Sequence, residues 1–303
     1  MTIQFIGILG FGEVGSRLAD NLLQTCNSKI VLWDTQFANS ASKATQRLKQ
    51  FADKPRVSCA VDEESFAEQC DLIISAVTAE QCLFSALSVV PHCRPNTWFL
   101  DLNSVSPGTK QQVATVCSTQ HVKFVEAAVM SPIDPKQIQS PIIIAGSYAR
   151  EFEKIGQGLG FTNMSVCSDE SGKASATKMC RSIMIKGMES LVTESMLSAH
   201  YYGVQQEVLS SLNNLIPHPD WPGHARYLIS RSLEHGVRRA EEMREVAKTV
   251  SEAGLEPLMS SACAKRQDWT AQFVSALDKS ELQDMLMAIR QQLQLLNNEE
   301  TSC

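Results

Sequence analysis

A glycine-rich segment near the amino end has the spacing found where a protein backbone binds a pyrophosphate. Its form is G-x-G-x-x-G, and its residues are Gly10, Phe11, Gly12, Glu13, Val14 and Gly15. An apolar run at 3–9 precedes it and a helical pattern at 13–25 follows it. In that setting the first glycine permits a tight turn, the second lets the backbone approach the phosphates, and the third lets helix and strand pack closely. We predict dinucleotide binding by all six residues; a plain strand–turn–helix connection is the alternative.

An acidic residue after the next apolar run indicates which dinucleotide binds. The run 29–33 is followed by Asp34, 19 residues after Gly15. A carboxylate there accepts hydrogen bonds from the ribose hydroxyls of adenosine and repels a 2′-phosphate, so we predict NAD as the cofactor rather than NADP. Glu13 would repel the pyrophosphate if it pointed inward. Its side chain is therefore predicted to face solvent at the start of the helix, where a negative charge is favourable.

Small or polar side chains follow three further apolar runs, where parallel sheets bind their ligands. The residues predicted to contact the cofactor there are Ala76, Val77, Thr78 and Asn103. Those predicted to contact the substrate are Asn103, Ser104, Met130 and Ser131. Ser106 stands directly before Pro107 and is better explained as a helix cap. For Ser104, ligand contact and capping of the same helix both remain open, and for Asn103 ligand contact remains open.

A lysine within a mostly apolar helical pattern could transfer a proton. Lys178 is followed by Arg181 and Ser182, three and four residues further on, so the three share one helical face. A lysine accepts a proton near neutral pH only when desolvation or a nearby positive charge lowers its pKa. Arg181 could supply that charge or bind a substrate carboxylate. A solvated helical face is the alternative, because most lysines lie on one.

The elements that must position these residues are of two kinds. Up to about residue 165, continuous apolar runs alternate with helical patterns, which is typical of strands buried on both faces of a parallel sheet. The predicted strands are 3–9, 29–33, 56–59, 72–76, 98–102, 123–127 and 142–145. After residue 172 only helices are predicted, at 173–201, 205–215, 223–254 and 280–296. The predicted fold class is α/β: a Rossmann-type doubly wound parallel sheet in a domain 1–165, then an all-α domain 166–303 built on a long helix.

Composition excludes several other classes of protein. The 303 residues carry 27 Lys and Arg against 33 Asp and Glu, a net charge of −6, which gives no global reason to bind nucleic acid or an anionic membrane. No apolar run reaches the roughly 18–20 residues of a membrane span, and the first residues lack the basic region of a signal peptide. The 10 cysteines form no C-x-x-C pair, so no metal site is predicted. We expect a cytoplasmic protein.

Taken together, these motifs resemble the β-hydroxyacid dehydrogenase superfamily, which includes 3-hydroxyisobutyrate and 6-phosphogluconate dehydrogenases. The similar segments come in the family order, at 6–22, 103–107, 126–132 and 172–182. The resemblance implies a homodimer and a small carboxylate substrate bound between the domains. It also implies oxidation of a β-hydroxy acid by hydride transfer to NAD, or reduction of the corresponding carbonyl, with Lys178 as the general acid/base.

Departures from the family pattern bear on the substrate. The family usually has an asparagine that holds the substrate four residues after its lysine, where this chain has Ser182, and Met130-Ser131-Pro132 replaces the usual Ser-Gly-Gly. Ser182 is accordingly predicted to bind the substrate together with Arg181. These changes resemble a subgroup described as phosphogluconate-dehydrogenase-like, with an uncharacterised C-terminal domain. Two other functions remain open: reduction of an imine or ketone, in which Lys178 need not be the proton donor, and a non-catalytic dinucleotide-binding sensor.

A polar stripe late in the chain has two interpretations. Its members recur at helical spacing and are Arg231, His235, Arg238, Glu242 and Glu245, with Arg239 beside them. On a solvated face they would form ion pairs such as Arg238–Glu242. Alternatively, His235 with Arg231 or Arg239 binds a substrate anion, and His235 is therefore included among the predicted substrate-binding residues.

Overall fold

The computed structural model describes residues 3–131, 136–214 and 216–300. The chain divides into two compact units, Met1–Met179 and Cys180–Cys303. The division falls within one long helix, so this helix contributes residues to both units. A domain boundary near residue 165 remains a prediction.

The first unit is built on one eight-stranded sheet with the order β3-β2-β1-β4-β5-β6-β7-β8. Its strands are β1 Phe5–Leu9, β2 Lys29–Trp33, β3 Val57–Cys59, β4 Leu72–Ser75, β5 Trp98–Asp101, β6 Lys123–Val129, β7 Ile142–Ala145 and β8 Met164–Ser168. The order reverses between β1 and β4, which is the point where open α/β sheets bind their ligands. All described pairings are parallel except that of β6 with β7.

The continuous apolar runs became central strands because both faces of the sheet are covered. In β4, Leu72 and Ile74 pack into the core on one face of the sheet, while Ile73 packs into the core on the other. All three side chains are fully buried. A strand between two cores has no solvent-facing positions, so polar residues cannot alternate with apolar ones.

Helices connect the strands of this unit. They are α1 Glu13–Thr25, α2 Lys43–Leu48, α3 Glu63–Gln69, α4 Cys82–Val89, α5 Pro107–Thr119 and α6 Ala149–Leu159. The first of these has the predicted bounds. Ser106 caps α5 by accepting a hydrogen bond from the Thr109 amide, and Pro107 occupies the first turn, as predicted.

The far edge of the sheet differs from a purely parallel arrangement. Between β6 and β7, the described residues form only a one-turn helix at Gln137–Gln139, and β7 runs antiparallel to β6. Without a crossover helix, a connection of this kind favours antiparallel pairing. The strand β8 was not predicted, because only one of its five residues is buried at the sheet edge and its sequence, MSVCS, has no apolar run.

The second unit contains helices and connecting turns, and its described residues include no strand. The long helix α7, Lys173–Tyr202, enters it, and the helices that follow are α8 Gln205–Leu212, α9 Trp221–Glu252, α10 Leu258–Thr270 and α11 Leu282–Glu300. Asp220 caps α9 by accepting from the Gly223 amide at 2.9 Å. The core of the unit gathers Met196 of α7, Ile229 of α9 and Met285 of α11. None of the helices in the described residues is long and apolar enough to cross a membrane.

Candidate functional site

The glycine turn lies at the end of β1, against the end of β4. Gly10 has a φ of +91°, which side-chain-bearing residues rarely adopt. A Cβ atom at Gly10 would lie 2.7 Å from the carbonyl oxygen of Ala76. The Gly10 amide donates to the Trp33 carbonyl at 2.9 Å. The turn therefore needs glycine for two reasons, its backbone conformation and its close contact with the next strand.

The other two glycines leave a space at the start of α1. A Cβ at Gly15 would lie 2.0 Å from the Gly10 carbonyl oxygen, whereas a Cβ at Gly12 would meet no atom within 4 Å. Gly12 precedes α1 and provides no side-chain cap for the first amides of that helix. Uncapped amides at a helix start attract an anion. This cradle fits the pyrophosphate of a dinucleotide, which approaches the backbone where a side chain is missing.

The side chains between these glycines have different surroundings. Phe11 is fully buried and packs edge-on against Phe37 and Phe51, with ring centroids 5.7 and 5.2 Å away. It could therefore contact a cofactor only through its backbone. Glu13 is exposed, in agreement with its predicted solvent-facing orientation, and Val14 is half-buried.

Asp34 connects the end of β2 to the glycine turn. Its Oδ2 accepts a hydrogen bond from the Phe11 amide at 2.6 Å, and its Oδ1 accepts one from the Gln36 amide at 2.8 Å. The residue is half-buried. The carboxylate thus fixes the turn in place and keeps a negative charge beside it.

Asn103 holds the ends of β4 and β5 together. Its Oδ1 accepts from the Val77 amide at 2.8 Å, and its Nδ2 donates to Ser75 Oγ at 2.9 Å. The side chain is buried, with 4% exposure. Both of its polar atoms therefore have protein partners, which favours a positioning role over direct ligand contact. Ala76 and Val77 are half-buried beside it, and Thr78 is exposed.

Lys178 lies beside Ser104. The Nζ of Lys178 donates to Ser104 Oγ at 2.5 Å, and both residues are half-buried. They are 74 positions apart in the chain. Ser175, one turn earlier on α7, donates to the Val105 carbonyl and attaches the helix to the same turn. The first unit therefore places an amine and a hydroxyl in contact next to the ends of β4 and β5.

Met130 and Ser131 follow β6. Met130 is half-buried and packs against a small cluster that includes Ala128 and Ala174, the latter in the first turn of α7. Its amide donates to the Pro141 carbonyl at 2.8 Å. Ser131 is half-buried. Pro132, the third residue of the segment that departs from the family pattern, lies outside the described residues.

Comparison with known proteins agrees with this arrangement. The family model for the NAD binding domain of 6-phosphogluconate dehydrogenase matches residues 5–168. The chain belongs to the β-hydroxyacid dehydrogenase superfamily. Residues 199–270 match a second family model, a domain of unknown function called DUF1932.

Three relatives illustrate the place of the chain in this superfamily. A conserved hypothetical protein from Sinorhizobium meliloti 1021 is 32% identical with a TM-score of 0.78, over 95% of this chain and 96% of that one. A conserved protein of unknown function, reported to resemble 3-hydroxyacid dehydrogenases, is 29% identical with a TM-score of 0.70, over 88% and 97% of the two chains. The 2-(hydroxymethyl)glutarate dehydrogenase of Eubacterium barkeri is 22% identical over 68% of this chain and 67% of its own.

In this superfamily member, several predicted substrate residues belong to the second unit. Arg181 is exposed and Ser182 is buried, both on α7. His235 on α9 is half-buried, with its Nε2 3.3 Å from the carboxylate of Glu234. Burial and the charge of Arg231 lower the pKa of His235 below its ordinary value. Substrate binding by these three residues remains a prediction.

The polar stripe, which lies on α9, forms ion pairs. Arg238 lies 2.6 Å from Glu242, as the solvated-face interpretation predicts, and Glu242 also pairs with Lys186 of α7. Arg239 binds both oxygens of Glu189, which is 2% exposed. Burial raises the pKa of Glu189, although the Arg239 charge opposes this. Arg239 therefore has a structural partner already, which weakens the case for it as a substrate ligand.

Sequence reasoning missed a set of buried charges in the dinucleotide-binding unit of this family member. Glu126 on β6, Asp101 on β5 and Lys110 on α5 are at most 1% exposed. A signal was present, because Asp101 and Glu126 stand in otherwise apolar runs, WFLD and FVEAAV. Among the described residues, no group of three or more His, Cys, Asp or Glu side chains is arranged to hold a metal ion.

Proposed function

We propose that this chain is an NAD(P)-dependent dehydrogenase that oxidises a small β-hydroxy acid, or reduces the corresponding carbonyl compound, with Lys178 as general acid/base. One observation carries the proposal: Lys178 Nζ lies 2.5 Å from Ser104 Oγ, in the turn after β5. That turn is at the ligand-binding edge of the sheet, next to the cradle formed by the glycines. An amine and a hydroxyl in contact there can hold and move a proton.

The residues of the first unit have separate proposed tasks. Gly10, Gly12 and Gly15 would bind the pyrophosphate, and Asp34 the adenosine ribose, with preference for NAD over NADP. The end of β4 at Ala76, Val77 and Thr78 would run beneath the dinucleotide. A dinucleotide held there would supply the hydride acceptor for oxidation of the carbon that carries the substrate hydroxyl. The position of each residue around the cradle supports these assignments.

Lys178 would take the proton of the substrate hydroxyl at its Nζ and return it in the reverse direction. Its half-buried position beside the turn after β5 places the amine where a substrate hydroxyl could reach it. Ser104 Oγ would orient the amine and remain hydrogen-bonded to it during the transfer. Met130 and Ser131 would contact the substrate from the end of β6.

The test compares two lysines of the same helix. Lys178→Ala should lower kcat by about 100-fold to about 10,000-fold, the range for loss of a general acid/base. Lys173→Ala is the matched control, because Lys173 is exposed at the start of α7 and its Nζ lies 3.4 Å from Glu170. The assay follows nicotinamide absorbance with NAD and NADP against a panel of β-hydroxy acids that includes 2-(hydroxymethyl)glutarate, 3-hydroxyisobutyrate and 6-phosphogluconate.

Two results would contradict the proposal in different ways. If Lys178→Ala retained turnover within a few-fold of the parent, the lysine would not be the acid/base, and imine or ketone reduction would be favoured. If the parent bound dinucleotide but turned over no compound of the panel, the chain would be better explained as a non-catalytic sensor.

The resemblance also leads us to propose a homodimer that forms through the second unit. Met184 and Leu191 of α7 are 65% and 58% exposed, and they line an apolar cavity of about 290 Å³. Large exposed apolar patches mark interaction sites. Leu191→Lys should reduce the mass in light scattering from dimer to monomer, and Leu255→Lys, which replaces another exposed leucine, should not. A parent that is already monomeric would refute this assignment.

A cytoplasmic location is proposed on the state of the cysteines. The nine cysteines among the described residues are all free thiols, as cysteines are in a reducing compartment. Fractionation of cells that produce the chain would test this, and recovery with secreted proteins would contradict it.

A further inference from the structure

Three charged side chains are buried together beneath the ends of β5 and β6. Asp101 and Glu126 are paired in the register of these parallel strands, so their side chains project on the same face. Lys110 Nζ lies 3.1 Å from Asp101 Oδ1 and donates to the Asp101 carbonyl at 2.9 Å. All three side chains are at most 1% exposed. Because buried charges are costly unless they are compensated, each should have a specific partner.

Glu126 finds its partners at the start of α7. Its Oε2 accepts from the Gly172 amide at 2.8 Å, and its Oε1 accepts from the Ala174 amide at 2.6 Å. A carboxylate at a helix start satisfies amides that lack partners within the helix, and its charge is favourable there. Burial raises the pKa of Glu126, while the Lys110 charge and the α7 amides lower it. The carboxylate thus attaches the first turn of α7 to the sheet.

At the other end of the network, Asp101 fixes the turn that contains Ser104. Its Oδ1 accepts from the Asn103 amide at 2.9 Å. The Asn103 side chain in turn bonds the Val77 amide and Ser75. The buried charges therefore run from the helix that carries Lys178 to the turn that carries Ser104.

We propose that Glu126 is a positioning residue, which sets the place of Lys178 Nζ relative to Ser104 by holding the first turn of α7. Its carboxylate is fully buried and bonds backbone amides, so it acts through the helix that it holds. Each residue of a helix advances about 1.5 Å and turns about 100°, so a small slip of the first turn displaces the amine. A displacement of about 1 Å can cost about 100-fold in rate. The kinetic part of this inference rests on the proposed function; the positional part does not.

The experiment uses Glu126→Gln in the full chain. Glutamine keeps the shape but loses the charge and one acceptor oxygen, so one of the two amides, that of Gly172 or that of Ala174, loses its partner. Glu151→Gln is the matched control, because Glu151 is 56% exposed and lies 2.8 Å from Lys123. Amide hydrogen exchange is followed by mass spectrometry over residues 170–180. The rate of chemical acetylation of Lys178 is measured relative to Lys49, an exposed lysine of the same unit.

In Glu126→Gln, exchange over 170–180 should rise about tenfold or more, and relative acetylation of Lys178 should rise several-fold, because the first turn of α7 opens more often. Neither should change in Glu151→Gln. Once a substrate is identified, the kcat of Glu126→Gln should be about 10-fold to about 100-fold below that of the parent, while its KM for the dinucleotide stays within about twofold. A fall in dinucleotide affinity instead would show a general loss of structure and would contradict a specific positioning role.

Unchanged exchange and unchanged acetylation in Glu126→Gln would overturn the inference, whatever the activity. If no substrate is turned over by the parent, the proposed function fails while these two measurements still decide the role of Glu126. Should Glu126→Gln fail to fold, Glu126→Asp carries the same test. Aspartate keeps the charge facing Lys110 but is shorter by one methylene, so it cannot reach both amides. Amide exchange over 170–180 and acetylation of Lys178 should therefore rise again, but by smaller factors.

Discussion

The Phe11 amide and the Asp34 carboxylate are joined by a hydrogen bond of 2.6 Å. This bond connects the glycine turn after β1 to the end of β2, so the acidic residue proposed to select the cofactor also shapes the turn that binds it. Replacing Asp34 should therefore affect both the strength and the selectivity of dinucleotide binding.

Asp34→Ala should weaken binding of NADH and lower the preference for NADH over NADPH by about tenfold, which corresponds to about 1.4 kcal/mol. The loss of the bond to Phe11 weakens both cofactors, whereas the loss of negative charge relieves repulsion of the 2′-phosphate alone. Titration by the fluorescence of the reduced nicotinamide measures both constants. Asp53→Ala, at an exposed position of the same unit, should leave both unchanged. An unaltered ratio in Asp34→Ala would refute its role in selectivity.

Alanine substitutions at Ser104 and Ser106 should have different effects, the first on turnover and the second on stability. Ser104→Ala removes the hydroxyl that bonds Lys178 Nζ, and a reacting group displaced by about 1 Å can cost about 100-fold in rate, so turnover should fall at least about tenfold. Tm should change little, because Ser104 is only half-buried and water can take the place of its hydroxyl. Ser106→Ala removes the cap of α5 and should lower the free energy of unfolding by about 1 kcal/mol. Kinetics and urea unfolding on both variants check this. The reverse pattern, with Ser104→Ala unstable and active, would count against the proposed site.

Two glycines of the second unit should respond in opposite directions to alanine. A Cβ at Gly236 on α9 would lie 2.5 Å from the Gln267 carbonyl oxygen of α10, so Gly236→Ala must push the two helices apart at a cost of about 1–3 kcal/mol. A Cβ at Gly187 on α7 would meet nothing within 4 Å, so Gly187→Ala should stabilise by about 0.5–1 kcal/mol through helix propensity. Thermal unfolding measures both. Equal effects of the two changes would mean that α9 and α10 are not in such close contact.

Stability should depend on pH through His235. Burial and Arg231 lower its pKa in the folded protein below the ordinary value, so the native state binds fewer protons there than the unfolded chain does. The contribution of this group to stability is therefore complete above about pH 6.5 and is lost as the pH falls below that value. His235→Gln should make the fall in Tm between about pH 7.5 and about pH 5.5 smaller than in the parent. His92→Gln, an exposed control in the first unit, should follow the parent, and identical slopes in all three proteins would exclude His235 as a contributor.

Structural features that are set by residues close together in the chain could be predicted from the sequence. A strand with a core on each face is apolar at most positions, and β2 and β7 were predicted with the bounds that the structure has. The glycine turn and the Ser106 cap were predictable for the same reason, since the backbone geometry that requires them spans only a few residues. The amino-acid sequence by itself thus determined the α/β order of the first unit, the helical second unit and the place of the dinucleotide cradle.

Only the tertiary structure decided what each polar side chain meets. Lys178 and Ser104 are 74 positions apart, and Glu126 reaches amides 46 and 48 positions away, so no local pattern specifies these contacts. From the sequence, the side chain of Asn103 could bond either a ligand or the protein. The structure shows that it bonds the Val77 amide and Ser75 at the end of β4. The antiparallel direction of β7 and the presence of β8 at the edge depend on pairing with β6 and β7 respectively. Such pairing between strands is not specified by the local sequence of either strand. Charge and hydrogen-bonding capacity belong to the residue, but its partner is set by the packing of distant elements.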